Sequence, residues 1–370
     1  MFRKFTKKFL ILLNIVTSLL FLIGSFGGYA HSSILWFTGY FILAMPYLAV
    51  ALIGFIFLWL IAKRGWMLIS LITLCFAYKP LKNVFVPRLS PAFAMNKNDA
   101  GIRVMTWNVE HFQILKHKSN PELKEKMLHL INAYQPDIAC FQEMVGSDFE
   151  PQAINYLPEL IRVMAMKDYH YSFNKKLDFD KDHHFGIIIF SKLPMVSKHT
   201  ISYDPYDYNS IFQYVDVKKN DDTFRVFNVH LQSLRFTQDN ITAINEPEKD
   251  KLISNSKSII KKLKVAFDKK YYQSNRIKEE MNRSPYPNIV CGDFNDVPNS
   301  YAYINIGRGM KNAWVEKGSG IGRTFQSISP TLRIDNIFVS PAFEVQQAEK
   351  NSTVLSDHYP LITDLLYQKN

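Results

Sequence analysis

The stretch "IVCGDFNDVP", Ile289 to Pro298, sets a run of apolar side chains directly against two carboxylates and an amide. A strand covered on both faces reads as such a continuous apolar run, and in layered α/β proteins the residues just past its carboxyl end line the ligand crevice. On that reading Asp293 and Asn295 are delivered to a site. The same letters also suit a plain chain reversal, because Gly, Asp, Asn and Pro are what a turn requires. The stretch alone leaves both readings open, and the choice depends on what the other strands deliver.

Outward from it, the pattern repeats. "GIRVMTWNVEHF" is a short strand ending in polar groups, and "LKEKMLHLINAYQPDIACFQEM" is an amphipathic helix, a Pro-bearing turn and a strand. Leu123, Met127, Leu130, Ile131 and Tyr134 supply the helical period. "FGIIIFSKLP" and "FRVFNVHLQS" are further strands, each ending in polar residues. Strands alternating with helices predict a layered α/β domain. Lys251 to Arg283 reads as a long helix with Leu252, Ile259, Leu263, Phe267 and Ile277 on one stripe. Its many Lys and Arg are either a basic face for phosphates or anionic lipid, or the solvated side of a surface helix. His183, His184 and the acidic stretch Asp178 to Asp182 fall in a predicted loop, which either shapes specificity or, as is more usual, is simply hydrated.

At 370 residues, with 47% hydrophobic and 14% aromatic content, the chain fills one large core and has more to place. A net charge of +11 invites a nucleic-acid reading. The distribution argues otherwise. Residues 1–88 carry nine Lys and Arg and no acid, so the remaining 35 basic residues meet 33 acidic ones, a surplus of only two. The basic balance is therefore mostly a membrane-topology signal.

Phe9 to Gly28 is almost unbroken apolar sequence and Ile34 to Ala62 is longer still, so each crosses a bilayer at 1.5 Å per residue. Trp66 to Tyr78 is short, and a third span must recruit residues toward Val86. The expected spans are 9–28, 36–62 and 66–86, within an anchor over 1–88. Residues 89–101 read as a linker and 102–370 as the catalytic domain. A cleaved signal peptide over Phe9 to Gly28 is disfavoured, because the run exceeds a typical apolar h-region and a second span follows at once. With Arg3, Lys4, Lys7, Lys8, Lys63 and Arg64 on the cytoplasmic side, three spans place the large domain outside the cytoplasm and two place it inside. Cys75, Cys140 and Cys291 outline no disulfide framework.

The strand ends collect Asn108 in "TWNVEHF", Glu143 in "FQEM", His230 in "NVHLQS", and Asp293 with Asn295 in "GDFND". Asp335 in "RIDNIFVS" and Asp357 with His358 in "LSDHYP" join them. Singly, each has an ordinary explanation as a cap, a surface ion pair or a satisfied core histidine. Together they are hard oxygen ligands with two histidines, which suits a divalent metal and a phosphate ester. Mg²⁺ takes one or two carboxylates plus substrate phosphate oxygens, and Glu143 helped by Asn108 supplies that. Asp293 beside Asn295 can orient and deprotonate a water. A histidine can donate to a developing phosphoryl charge if a carboxylate fixes its tautomer, as Asp335 does for His358 on this reading, with His230 on the other side. A His-rich Zn²⁺ site fits worse, since no HExxH and no Cys pairing occurs.

The ordered set "TWN", "QE", "NVHL", "GDFND", "RIDNIFVS", "SDHYP" resembles the endonuclease/exonuclease/phosphatase superfamily from Ile102 to about Leu366. The resemblance extends to a bacterial branch with amino-terminal transmembrane helices. It implies a four-layer α/β/β/α sandwich of the deoxyribonuclease type, with the site at one edge of two central sheets. It places Asn108, Glu143 and Asp357 at a Mg²⁺ or Mn²⁺ site and Asp293 and Asn295 on the water. His230 and His358 contact the scissile phosphate, and Asp335 pairs with His358. The expected function is a membrane-anchored, Mg²⁺-dependent phosphoesterase of a bacterial inner membrane, acting outside the cytoplasm. Its expected partners are a phosphate ester (phospholipid head group, nucleotide or nucleic acid) and the bilayer, with no protein partner. The alternatives are a nuclease on the secreted side and a catalytically inactive binding protein on the same fold.

Overall fold

The amino-terminal apolar runs form two helices, α1 (Phe2–Phe26) and α2 (Thr38–Ala62), each 25 residues long and each long and apolar enough to cross a membrane. They pack as an antiparallel pair around Phe21, Met45, Ala49 and Leu52. In this computed structural model the described residues are 2–30, 34–89, 91–116, 119–147, 154–175, 182–202, 211–233 and 252–368.

The third apolar segment, expected as a span over 66–86, is bent. It is two helices, α3 (Met67–Phe76) and α4 (Tyr78–Val84), bent by 69°. Pro80 explains the position of the break. Its ring clashes with the carbonyl four residues back, and that residue is Phe76, where α3 ends.

Two six-stranded sheets follow. The first has the order β11 (Phe343–Lys350), β12 (Leu361–Tyr367), β1 (Ile102–Asn108), β2 (Ile138–Gly146), β4 (His184–Ser191), β3 (Asp168–Phe173). The second runs β5 (Met195–Ser202), β6 (Ile211–Lys219), β7 (Asp222–His230), β8 (Asn288–Asp293), β10 (Asp335–Val339), β9 (Lys311–Asn312). They face each other across a core containing Val104, Cys140, Ile189, Val226, Cys291 and Ile337. Both inner-core cysteines are buried free thiols. The outer face of the first sheet is covered by α5 (Pro121–Tyr134) and α6 (Leu157–Val163), through Met127, Ile131, Tyr134 and Leu160. The outer face of the second carries α7 (Leu252–Asn282) and α8 (Tyr301–Gly307), through Ile277, Met281, Tyr303 and Ile306. A short α9 (Ala313–Lys317) closes the edge. The result is the expected α/β/β/α sandwich, with helices long and apolar at its amino terminus.

The amino-terminal helices are docked on the sandwich at one end of their bundle. Just after α1, Gly28 sits so close to Asn299 that a Cβ there would lie 2.0 Å from the Asn299 carbonyl oxygen, which only glycine permits. Asn299 also donates to the Pro80 carbonyl at 2.9 Å and accepts from Asn83 Nδ2 at 2.9 Å. Early in α2, Tyr40 donates to the Ile260 carbonyl and Tyr47 shares a 2.7 Å bond with Ser329. Beyond α4, Val86 bridges to Gly320. All these contacts come from the end where α1 finishes and α2 begins, so the sandwich lies opposite Lys7, Lys8, Lys63 and Arg64.

Candidate active site

Strand register assembles the site. β7 and β8 are parallel with His230 opposite Asp293, and β10 is antiparallel to β8 with Asp335 opposite the same Asp293. In the other sheet, Asn108 ends β1 opposite Gln142 of β2. Beside Gln142 the pairing of β2 with β4 slips between Phe141 and Met144, and Glu143 takes a left-handed backbone, φ 54°. Such a bulge re-aims a side chain, here toward the facing sheet. Gly292 is required: its φ is +137°, and a Cβ would sit 2.0 Å from the Val229 carbonyl oxygen.

Asp293 is the centre, and it answers the question its sequence poses. Its Oδ1 accepts the Asn295 backbone N–H at 2.7 Å, the local bond of a turn. Its Oδ2 faces the site, accepting from Asn108 Nδ2 and Asn295 Nδ2, each at 3.2 Å. The Nε2 atoms of His230 and His358 lie 3.6 and 3.7 Å from that same oxygen. Both readings of "GDFND" are therefore true, one for each carboxylate oxygen.

Asp335 Oδ2 lies 2.8 Å from His358 Nδ1. Burial pulls the His358 pKa down, but Asp335 and Asp293 outweigh it and push it well above the ordinary histidine range, favouring the protonated ring. Glu143 receives Asn108 Nδ2 at 3.1 Å. Burial pushes its carboxyl up to about 7, with Asp357 and Asp293 adding to the rise against Asn108 and His358. Burial likewise raises Asp293 and Asp357. All eight expected residues come together, and Asn108, Glu143, Asp293, Asn295, Asp357 and His358 line one cavity of about 260 Å³.

The donor set fits a divalent cation. Asp293, Asp335 and His358 place ligand atoms within 4.8 Å of one another, with His358 Nδ1 already tied to Asp335 at 2.8 Å. Among the described residues, Glu143 has as ion-pair partners only the imidazoles of His111 and His230, each at 3.9 Å, and it shares the cavity with Asp357 and Asp293. A buried carboxyl held near 7 beside two more is a local excess of negative charge, which a divalent ion relieves.

Several residues at the site escaped sequence reasoning. Lys270 on α7 is buried, 3.3 Å from Asp296, and donates to the Asn295 carbonyl at 2.8 Å. It pins the loop after β8, whereas the helix's basic residues read as either a phosphate face or a solvated side. Glu110 accepts the Asp357 backbone N–H at 3.1 Å, and His111 Nε2 lies 3.9 Å from Glu143. Below the site, Gln142 donates to Thr106 within its own sheet and to Asn228 of the facing one. The expected specificity loop is not part of the cavity among the described residues: His184 is a buried β4 residue stacked on Phe173, and His183 contacts the Ile154 carbonyl. Residues 178–181 lie outside the described residues.

A sandwich with this edge constellation defines a class of phosphate-ester hydrolases. The sequence model of the endonuclease/exonuclease/phosphatase family matches residues 105–358, and the chain belongs to that family. It is accordingly a hydrolase acting on ester bonds, of a family that uses a divalent metal. A second sequence model, for a domain of unknown function, matches residues 7–84. The fold is similar to an endonuclease/exonuclease/phosphatase from Bacteroides vulgatus (17% identity, 72% of this chain and 99% of that one, TM-score 0.52). It is also similar to one from Beutenbergia cavernae (18%, 72% of each chain, TM-score 0.51) and to the human Nocturnin catalytic domain (20%, 72% and 94%, TM-score 0.50). No curated protein sequence matches the chain.

Proposed function

We propose that the protein is a membrane-anchored, Mg²⁺-dependent phosphoesterase that hydrolyses its substrate by in-line attack of water on phosphorus. The observation that carries this reading is the convergence of Asn108, Asn295, His230 and His358 on Asp293 Oδ2. Asn108, Glu143 and Asp357 would hold the ion, which would supply charge neutralisation and polarisation of a phosphoryl oxygen. Asp293, raised by burial toward neutrality, accepts a proton from the attacking water, and Asn295 fixes that water's position. The water oxygen bonds to phosphorus, the ester P–O bond breaks, and the proton taken up by Asp293 is returned to the released alcohol. His358 keeps its charge through Asp335 and, with His230, faces the phosphoryl oxygens as negative charge grows.

The test is the full-length chain in detergent with bis(4-nitrophenyl) phosphate, phosphomonoesters, phospholipids and nucleic acid, each with Mg²⁺ or Mn²⁺. At least one ester should turn over, with activity lost in EDTA and restored by Mg²⁺. No turnover of any ester with either ion would overturn the reading.

The same reading assigns three crossings to the anchor, with the broken α3–α4 pair as the third and the sandwich outside the cytoplasm. Docking of the sandwich at the end opposite Lys63 and Arg64 supports this. In a bacterial host, a carboxyl-terminal alkaline-phosphatase fusion should be active and a fluorescent-protein fusion exported by the general pathway dark. Bright fluorescence with an inactive phosphatase fusion would reverse the orientation.

A further inference from the structure

The catalytic cavity is not made by the sandwich alone. Leu43, six residues into α2, lines it together with Glu143, Asp293 and His358. Its neighbour Ile42 is buried against Val297 and Ile334 of the sandwich. One wall of the site is therefore a membrane helix. From Leu43 a single face of α2 continues at helical spacing through Tyr47, Val50, Gly54, Phe57 and Ile61. Tyr47, Val50, Phe57 and Ile61 are all exposed, Val50 by 69% and Ile61 by 91%. At Gly54 an added Cβ would meet nothing within 4 Å. Exposed apolar residues are ordinary on any helix that crosses a bilayer. What is not ordinary is that this stripe begins inside the cavity that holds the catalytic carboxylates.

The cavity's composition points the same way. Among the described residues that line it, the one Lys or Arg is Lys270, already paired with Asp296 and the Asn295 carbonyl. A nucleic-acid backbone needs a track of available cations. The two aromatic rings of the wall are also engaged, Phe267 with Tyr40 at 6.1 Å and Phe325 with His358 at 5.0 Å. Beside the carboxylates and amides, the apolar part of the wall is Leu43, Val297, Ile328, Leu332 and Ile334 together with those rings.

We infer that the substrate is a phosphate ester carried on a membrane lipid, its phosphate at Asp293 and His358 and its acyl chain leaving the cavity past Leu43 along the α2 stripe. This rests on the phosphoesterase reading and adds the substrate class to it. The chemistry is unchanged: water adds to phosphorus, the ester P–O bond breaks, and the alcohol product leaves protonated.

The test uses the full-length chain reconstituted with Mg²⁺ into vesicles of dioleoylphosphatidylglycerol. Hydrolysis of that lipid, followed by ³¹P NMR, is compared with hydrolysis of glycerophosphoglycerol, the same head-group ester without acyl chains. The lipid should exceed the chain-free ester at least tenfold in kcat/KM. Leu43→Trp, which fills the exit, should lower that ratio at least fivefold. The wild-type comparison stands whether or not the variant folds. Equal rates for the two esters, a ratio unmoved in folded Leu43→Trp, or faster cleavage of DNA or RNA than of lipid would overturn the inference. Bis(4-nitrophenyl) phosphate, run in parallel, separates the two levels. Its cleavage without lipid cleavage removes the lipid assignment alone, and failure on every ester removes the phosphoesterase reading as well.

Discussion

Asp293→Asn is expected to lower kcat by about 10²- to 10⁴-fold, the usual loss for a missing general base, or roughly 3 to 5 kcal/mol of barrier. The substitution separates the two oxygens of this side chain. An asparagine oxygen in the Oδ1 place still accepts the Asn295 backbone N–H, so the turn keeps its local bond. The other position becomes an NH₂ facing the amides of Asn108 and Asn295 and the two imidazoles, with no basic oxygen for a water proton. Removing a carboxylate that burial already disfavours ionising offsets part of that donor crowding, so the protein should remain folded. The measurement is kcat on whichever ester the substrate screen identifies, with circular dichroism and Tm for both proteins. A loss under about fivefold in a folded variant would leave "GDFND" as a turn and remove the proposed base.

The polar ends of the strands were legible because each is a local feature: a greasy run stops and an acid, amide or histidine follows. Asn108, His230 and Asp293 stand at such ends, while Asp335 opens an antiparallel strand, and register then sets His230 and Asp335 beside Asp293. The four layers were legible for a related reason, since alternating strands and periodic helices leave few other ways to bury both faces of two sheets. What was not legible depends on contacts between elements. The aim of Glu143 comes from a register slip against β4 that no letter of β2 announces. Lys270 is one basic residue among many on α7, and only the packing of Phe267 and Lys270 against the loop after β8 distinguishes it from its solvated neighbours. The break between α3 and α4 follows from Pro80 and the residue four before it, yet hydropathy alone joins them into one span. Likewise, apolar content marks α2 as a span and says nothing of Leu43 reaching the cavity.

Glu143→Gln is expected to remove activity while making the metal-free protein more stable at alkaline pH. The carboxyl is held at about 7 in the folded protein against an ordinary value near 4.5, chiefly by burial. Between those two values the folded state keeps a proton that the unfolded chain has released, so stability falls as pH rises through this window. The penalty is absent below about pH 4.5 and complete above about pH 7. One pH unit of displacement corresponds to about 1.4 kcal/mol, and partial exposure of the side chain reduces the total to about 1–2 kcal/mol. Glutamine keeps the shape and the contact with Asn108 but cannot ionise, so at pH 8 without metal its Tm should lie a few degrees above wild type, with the difference gone by pH 4.5. Mg²⁺ should reverse the order. An ion bound at 100 times its Kd stabilises the folded wild type by about 2.7 kcal/mol, and the variant should gain much less because it lacks the ligand charge. Turnover at saturating Mg²⁺ should fall more than tenfold. A variant that kept above about a tenth of wild-type turnover, a barrier change of roughly 1.4 kcal/mol or less, and showed the same Mg²⁺-induced rise in Tm would exclude Glu143 as the principal ligand.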